Sequence, residues 1–278
     1  MPSFNHFPVD QTNDAIDAHL RSDRAVNQYH IHMLARLRDP EDGYDAEFRG
    51  LAIENENEIL GVTIHSVPGD ALISAMTEET AEELGTEHTR RFPDIRGVTG
   101  PEPCAWAFAR GAGADVERIT VIMQQGLFIL EQVSELPTTP GRCRPAEPSD
   151  AEQLQTWLNE FSAEALPTDP PPDEAAGERL ASNGRCHVWE REDGVPTSFT
   201  NNPRRVHGLW SIGPVYTPPE HRGCGYASSL VEHLSRYALA NGADACTLFT
   251  DLANPVSNRI YERIGYRRVG SFATLRWP

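Results

Sequence analysis

The chain has 278 residues, 39% of them hydrophobic, with 41 Asp or Glu against 24 basic residues, all Arg, for a formal net charge of −17. This length predicts two domains of ordinary size. So acidic a surface repels phosphate backbones and excludes nucleic acid as a partner, and no apolar run approaches the ~18 residues of a membrane helix.

The start, MPSFNHFPVDQTND, has no basic region and no apolar core, so no secretory signal is read and a cytoplasmic protein is expected. The five cysteines, Cys104, Cys143, Cys186, Cys224 and Cys246, are widely spaced and lack a C-x-x-C pair. They read as reduced thiols, with neither a disulfide framework nor a metal site. Residues 1–141 hold 24 acids and 10 Arg, while residues 142–278 hold 17 acids and 14 Arg. The acidity therefore belongs to the first half. It suits a salt-rich cytoplasm, and a GC-biased genome explains the missing Lys equally well.

Helical segments are predicted up to Leu37, then strands over residues 50–54 and 59–66 joined by Asn55-Glu56-Asn57. A strand at 71–76 leads into a helix from Thr77. A short strand near 95–98, a helix near 104–109 and a strand over 118–130 complete an α/β unit. Thr138-Thr139-Pro140-Gly141 marks the domain boundary, dividing the chain into 1–140 and 141–278.

In the second half a strand starts at Arg142. Ser149-Asp150 caps a helix carrying Leu154, Trp157, Leu158 and Phe161. Pro-rich residues 167–172 link it to a helix over 173–180. Strands over 185–191 and 195–201 form a hairpin at Asp193-Gly194. A long strand runs over 207–216. The helix over 225–240 carries Ala227, Leu230, Val231, Leu234 and Ala238 on one face and ends at Asn241-Gly242. After a strand over 245–250, a helix over 255–264 is expected to bury Val256, Ile260 and Ile264. Gly265 ends it before a last strand over 266–277.

The turn Glu220-His221-Arg222-Gly223-Cys224-Gly225-Tyr226-Ala227 sits between a strand and a helix. Its glycines let the backbone approach a ligand. The first N–H groups of the helix have no intrahelical partner, and the helix dipole adds positive charge there. Together these predict a pyrophosphate site, with Arg222 and His221 as added cations. The turn alone reads equally well as a tight strand-to-helix connection. It is neither a Walker loop nor the G-x-G-x-x-G fingerprint, because no Lys follows and Ser228 stands in place of the third glycine.

Arg222-Gly223-Cys224-Gly225-Tyr226-Ala227 resembles the coenzyme A motif of the GNAT N-acetyltransferase family, (Gln/Arg)-x-x-Gly-x-(Gly/Ala). The lead-in Val215-Tyr216-Thr217 and the order strand, two helices, three strands, helix, strand, helix, strand over 142–278 resemble that family too. The resemblance implies a GNAT fold in the second half, with a mixed sheet flanked by helices. It implies acetyl-CoA as co-substrate, no metal, and transfer to a small-molecule or peptide amine by direct attack. Val215, Tyr216, Thr217, Arg222, Gly223, Cys224, Gly225, Tyr226, Ala227 and Ser228 are the cofactor-binding residues it implies.

Asn254-Pro255 is a good helix start, and Ser257 and Tyr261 share one face of that helix. The resemblance places Asn254, Ser257 and Tyr261 at the coenzyme A arm, with Tyr261 protonating the departing thiolate. The alternative is a core tyrosine whose hydroxyl is hydrogen-bonded. A backbone N–H within 213–217, not that of Pro214, is expected to meet the thioester oxygen. Pro214 also predicts a bulge or splayed edge. For the base, no acid lies in Leu209-Trp210-Ser211-Ile212, so His207 and Glu190 are the candidates, the latter expected as a solvated strand residue. Cys224 has no placed base, so covalent catalysis is not expected. A non-catalytic acyl-CoA sensor is the alternative to an enzyme.

The first half resembles a degenerate GNAT unit. Its junction Met76-Thr77-Glu78-Glu79-Thr80 lacks glycine and carries two acids in the helix's first turn. It is therefore expected not to bind coenzyme A, and to shape the acceptor site or a homodimer.

Overall fold

A computed structural model describes residues 2–9, 12–37, 47–67, 69–137, 139–201 and 205–278; Thr138 of the boundary motif lies outside them. In chain order the elements are β1 (Ser3–Phe7), α1 (Asp14–Ser22), α2 (Gln28–Leu37), β2 (Glu47–Asn55), β3 (Glu58–Val67), β4 (Ala71–Ile73), α3 (Glu78–Arg91), β5 (Gly97–Pro101), α4 (Glu102–Gly111) and β6 (Thr120–Leu130). Then come β7 (Arg142–Pro145), α5 (Ala151–Ala165), α6 (Ala176–Ser182), β8 (Cys186–Glu190), β9 (Pro196–Asn201), β10 (Arg205–Val206), β11 (Leu209–Ser211), β12 (Val215–Tyr216), α7 (Tyr226–Ala240), β13 (Ala245–Asp251), α8 (Pro255–Ile264) and β14 (Arg267–Arg276). The two halves repeat one order: strand, two helices, strands, helix, strand, helix, strand.

The chain divides into two compact units, one of Met1–Leu127, Thr250–Ala253 and Val269–Pro278, the other of Phe128–Phe249 and Asn254–Arg268. The closing strand of the second repeat, β14, pairs antiparallel with β5 of the first, Phe272 opposite Pro101 and Leu275 opposite Val98. Most of β14 is thus part of the first unit, and residues 120–127 of β6 stay in that unit as well.

In the first unit β1, β2, β3 and β4 pair antiparallel, and β4 pairs parallel with β5. The β2–β3 hairpin turns on Glu56 and Asn57, both in the left-handed region at φ 49 and 69. β1, which the sequence reading left out, is an edge strand exposed along most of its length. Its sequence SFNHF gives little apolar alternation to read. Under α3 and α4 the core holds Leu51, Ile53, Ile73, Leu84, Val98, Phe108 and Leu275.

The two helices approach through glycines. A Cβ on Gly85 would press into the carbonyl oxygen of Phe108, and one on Gly111 into that of Glu82. Gly85→Ala, which raises helix propensity, is therefore expected to destabilise by roughly 2–3 kcal/mol, because backbone cannot yield as a side chain can. Urea unfolding measures it; an unchanged midpoint would show that the helices can part.

In the second unit β7, β8, β9 and β12 form one antiparallel sheet. β11 pairs instead with β13, parallel, and with β10, antiparallel. Trp157, Val188, Phe199 and Tyr216 pack between the first sheet and α5. Phe128, Leu130, Val231, Leu234, Leu248, Tyr261 and Ile264 form the second core. Of the stripe expected on α8, Ile260 and Ile264 face the core and Val256 does not. Val256 is 68% exposed, whereas Tyr261 and Ile264 are buried. The buried face runs Ser257, Ile260, Tyr261, Ile264, the i, i+3, i+4, i+7 set. The residue before its first member turns to solvent.

Candidate functional site

The long strand predicted over 207–216 is broken. β10 and β11 flank a turn at His207 and Gly208, with φ 45 and 80, and β11 ends three residues before β12 begins. Between them lie Ile212, Gly213 and Pro214, and here the chain leaves one sheet for the other. The Ile212 N–H donates to the Thr247 carbonyl at 2.8 Å and the Gly213 N–H to the Asn201 carbonyl at 2.9 Å. Pro214 has no N–H, and the Pro214 carbonyl accepts from the Asn201 N–H at 3.3 Å. Val215 then stands opposite Thr200 and Tyr216 opposite Phe199. Alternation along an antiparallel pair turns the Val215 N–H away from β9. β12 is the edge strand of its sheet, so that N–H points to the opening left by β11.

The Val215 side chain packs on the core that contains Tyr261. Tyr261 is buried at 8% exposure, in edge-to-face contact with Tyr266 at 6.0 Å. The two phenols differ. Tyr266 shares a 2.8 Å hydrogen bond with Ser235 in the core. The Tyr261 hydroxyl makes no hydrogen bond to any described residue. The alternative of a satisfied core tyrosine fits Tyr266 and not Tyr261. Burial pushes the Tyr261 phenol up to about 12, so it holds its proton at neutral pH.

The turn after β12 holds the residues of the expected cradle. Gly223 and Gly225 have φ 78 and 86, values that disfavour any side chain. Gly225 is the N-cap of α7, no side chain caps that end, and no acid occupies its first turn. The N–H groups of Tyr226, Ala227 and Ser228 therefore have no helical acceptor, while Ser229 donates to the Gly225 carbonyl at 3.0 Å. Residues 222–225 are exposed. Thr139 limits one side: its hydroxyl lies 2.8 Å from where a Gly225 Cβ would stand.

The same position in the first unit is closed. Thr77 caps α3 with its own hydroxyl, accepting from the Thr80 N–H, and Glu78 and Glu79 fill the first turn. An anion there would meet two carboxylates.

Arg222 does not turn its guanidinium to the cradle. Its Nε donates to the Thr217 carbonyl at 2.8 Å, and one terminal nitrogen reaches both carboxylate oxygens of Glu164, at 3.0 and 2.8 Å. Its backbone alone remains beside the ligand position. Asn254 accepts from the Ser257 N–H at 3.1 Å, so it is the N-cap of α8. Ser257 and Tyr261 follow on the half-buried face of that helix.

The two candidate bases lie in different surroundings. His207 is exposed in the turn before β11, at the far end of that strand from Val215. Glu190 is not solvated but buried at 9% exposure, bonded to Arg142 at 2.9 and 2.7 Å and to Arg144, which also holds Asp150 at 2.7 Å. The two guanidiniums hold its carboxyl below the usual range, the wrong direction for a base. Register explains the difference: Arg142 lies directly opposite Glu190 across β7 and β8.

The sequence reading gave no role to Glu160 and Glu164, four apart on α5, which accept from the Tyr216 hydroxyl at 3.1 and 3.3 Å. Their spacing was visible; their meeting with a tyrosine more than fifty residues away depends on the fold. Among the described residues no group of three or more His, Cys, Asp or Glu is placed to hold a metal, and no helix is long and apolar enough to cross a membrane.

Residues 151–266, which contain the broken strand, the cradle and α8, match the sequence profile of the acetyltransferase (GNAT) family. The chain contains a GNAT domain. The solved structures similar to it extend over both units. An acetyltransferase of the GNAT family from Colwellia psychrerythraea is 12% identical with a TM-score of 0.62, the alignment covering 99% of this chain and 100% of the other. A GNAT-family N-acetyltransferase from Sphaerobacter thermophilus is 15% identical at TM-score 0.62, covering 99% and 96%. A tandem GNAT protein from the clavulanic acid biosynthesis pathway is 13% identical at TM-score 0.55, covering 99% and 98%. At these identities the likeness is one of fold. No curated protein matches the sequence. Within the matched residues the start of α7 is thus an open helix end, and in the first unit the corresponding helix start is capped.

Proposed function

We propose that the GNAT domain moves an acetyl group from acetyl-CoA to the primary amine of a small molecule or peptide. The observation that carries this reading is the end of α7, where glycine replaces the capping side chain and the first-turn N–H groups face outward with no acid among them. A diphosphate would take those N–H groups. The thioester would follow the edge of β12, its carbonyl oxygen accepting from the Val215 N–H as charge develops. The amine lone pair attacks the carbonyl carbon, the C–S bond breaks, the thiolate takes the proton of Tyr261, and the phenolate regains one from solvent. The amine's surplus proton goes to solvent.

Cys224 provides the test of binding. It is the exposed cysteine of the chain, set between the cradle glycines. Acetyl-CoA is expected to slow its alkylation at least about tenfold at saturation, since a ligand on these N–H groups covers the turn. Mass spectrometry of Cys224 reads the rate; an unchanged rate at millimolar acetyl-CoA would defeat the proposal. The absence of a placed base favours one other reading, an acyl-CoA sensor. It predicts the same protection with no thiol release from any amine offered.

A further inference from the structure

The side chain at the entry to the cradle is tied into a closed ring of contacts. Arg222 holds the Thr217 carbonyl with Nε and the Glu164 carboxylate with a terminal nitrogen, and its guanidinium carbon lies 5.6 Å from the centre of the Tyr216 ring. Tyr216 closes the ring by donating to Glu164 at 3.3 Å and to Glu160 at 3.1 Å. Three separate stretches of chain meet there: the end of α5, the end of β12, and the turn into α7.

Two of those stretches supply the backbone groups of the proposed site, the Val215 N–H and the open N–H groups of α7. Neither is fixed by its own sheet or helix alone. β12 is two residues long at a sheet edge, and the turn after it rests on short bonds, His221 to Pro218 and Arg222 to Pro219, at 2.9 and 3.2 Å. The Arg222 guanidinium spans from strand to turn and is itself anchored from outside by Glu164.

We infer that Glu164 is a positioning residue for acetyl-CoA: through Arg222 it sets the angle between the β12 edge and the cradle. This rests on the acetyl-CoA reading above. The pair is half exposed, 47% for Arg222 and 48% for Glu164, so its effect is modest and falls with salt.

The expected result for Glu164→Ala is an acetyl-CoA KM raised about 2–5-fold, the range such a pair supports, with kcat held within twofold. Added NaCl brings the wild-type KM toward the variant's, whose own KM changes little. Glu164→Gln, which keeps an acceptor but not the charge, falls between them. A lesion of general stability would lower kcat and Tm together instead. The second readout needs no ligand: hydrogen exchange at the amides of Arg222 and Ser229. Exchange is expected to quicken in Glu164→Ala and in Arg222→Met, and to quicken no further in the double variant, since one link is lost in each case. Unchanged exchange, or additive effects, would overturn the inference. Faster exchange with no acetyl-CoA binding by the wild type would leave the clamp standing and remove the acetyl-CoA reading.

Discussion

Tyr261→Phe should lower kcat for acetyl transfer by about 10²-fold or more, while the KM for acetyl-CoA stays within a few-fold. The substitution removes one oxygen and leaves the ring packed among Ile212, Val231 and Ile264. Because the hydroxyl has no hydrogen-bond partner among the described residues, no buried group is orphaned and Tm should hardly move. The loss should also be uniform between about pH 6 and 9, since a phenol pushed up to about 12 stays protonated throughout. Steady-state kinetics with any productive amine decides it. A variant that turns over at the wild-type rate would remove Tyr261 from the proton path.

The second large effect concerns stability in acid and lies in the first unit. His88 is fully buried, both its ring nitrogens lack a hydrogen-bond partner, and it stands between His65, Phe92 and Phe108 at 5.3, 5.0 and 5.7 Å. Arg49 also bears on it and Asp94 only partly offsets these cations. Burial, then His65 and Arg49, press its imidazole down to about 3. Burial likewise presses His30 down to about 4. The unfolded chain takes up these protons near pH 6.5 and the folded chain does not. The stabilisation is therefore present above pH 6.5 and declines as pH falls toward 3. At pH 4.5 each histidine should have removed about 2–3 kcal/mol. His88→Phe, whose ring suits the aromatic surroundings, should flatten the profile. Denaturant unfolding at pH 7.5 and 4.5 reads this directly. Parallel profiles for the two proteins would assign the acid loss to other groups.

Much of the second unit was legible because its turns carry residues with few conformational options. Gly225, Asn254-Pro255 and Gly265 begin or end helices where their backbones require it. The chemistry of the cradle followed from the same residues. The remainder depended on distance and phase. That Arg142 faces Glu190 across 48 residues is a matter of strand register, which no local pattern encodes. On α8 the expected Ile260 and Ile264 face the core, but Tyr261 joins them where Val256 was expected. His207 read as strand because apolar neighbours alternate around it; the following Gly208 was the available sign of a turn. The pairing of β14 with β5 had no local sign at all.

That last pairing bears on how the protein is made. Synthesis proceeds from the N-terminus, so β5 emerges long before the strand that covers its edge. During all the intervening translation the nascent first repeat presents open N–H and C=O groups beside Val98 and Gly100, a template for pairing with another nascent chain. The first repeat thus leaves the ribosome before the second yet is completed only after it.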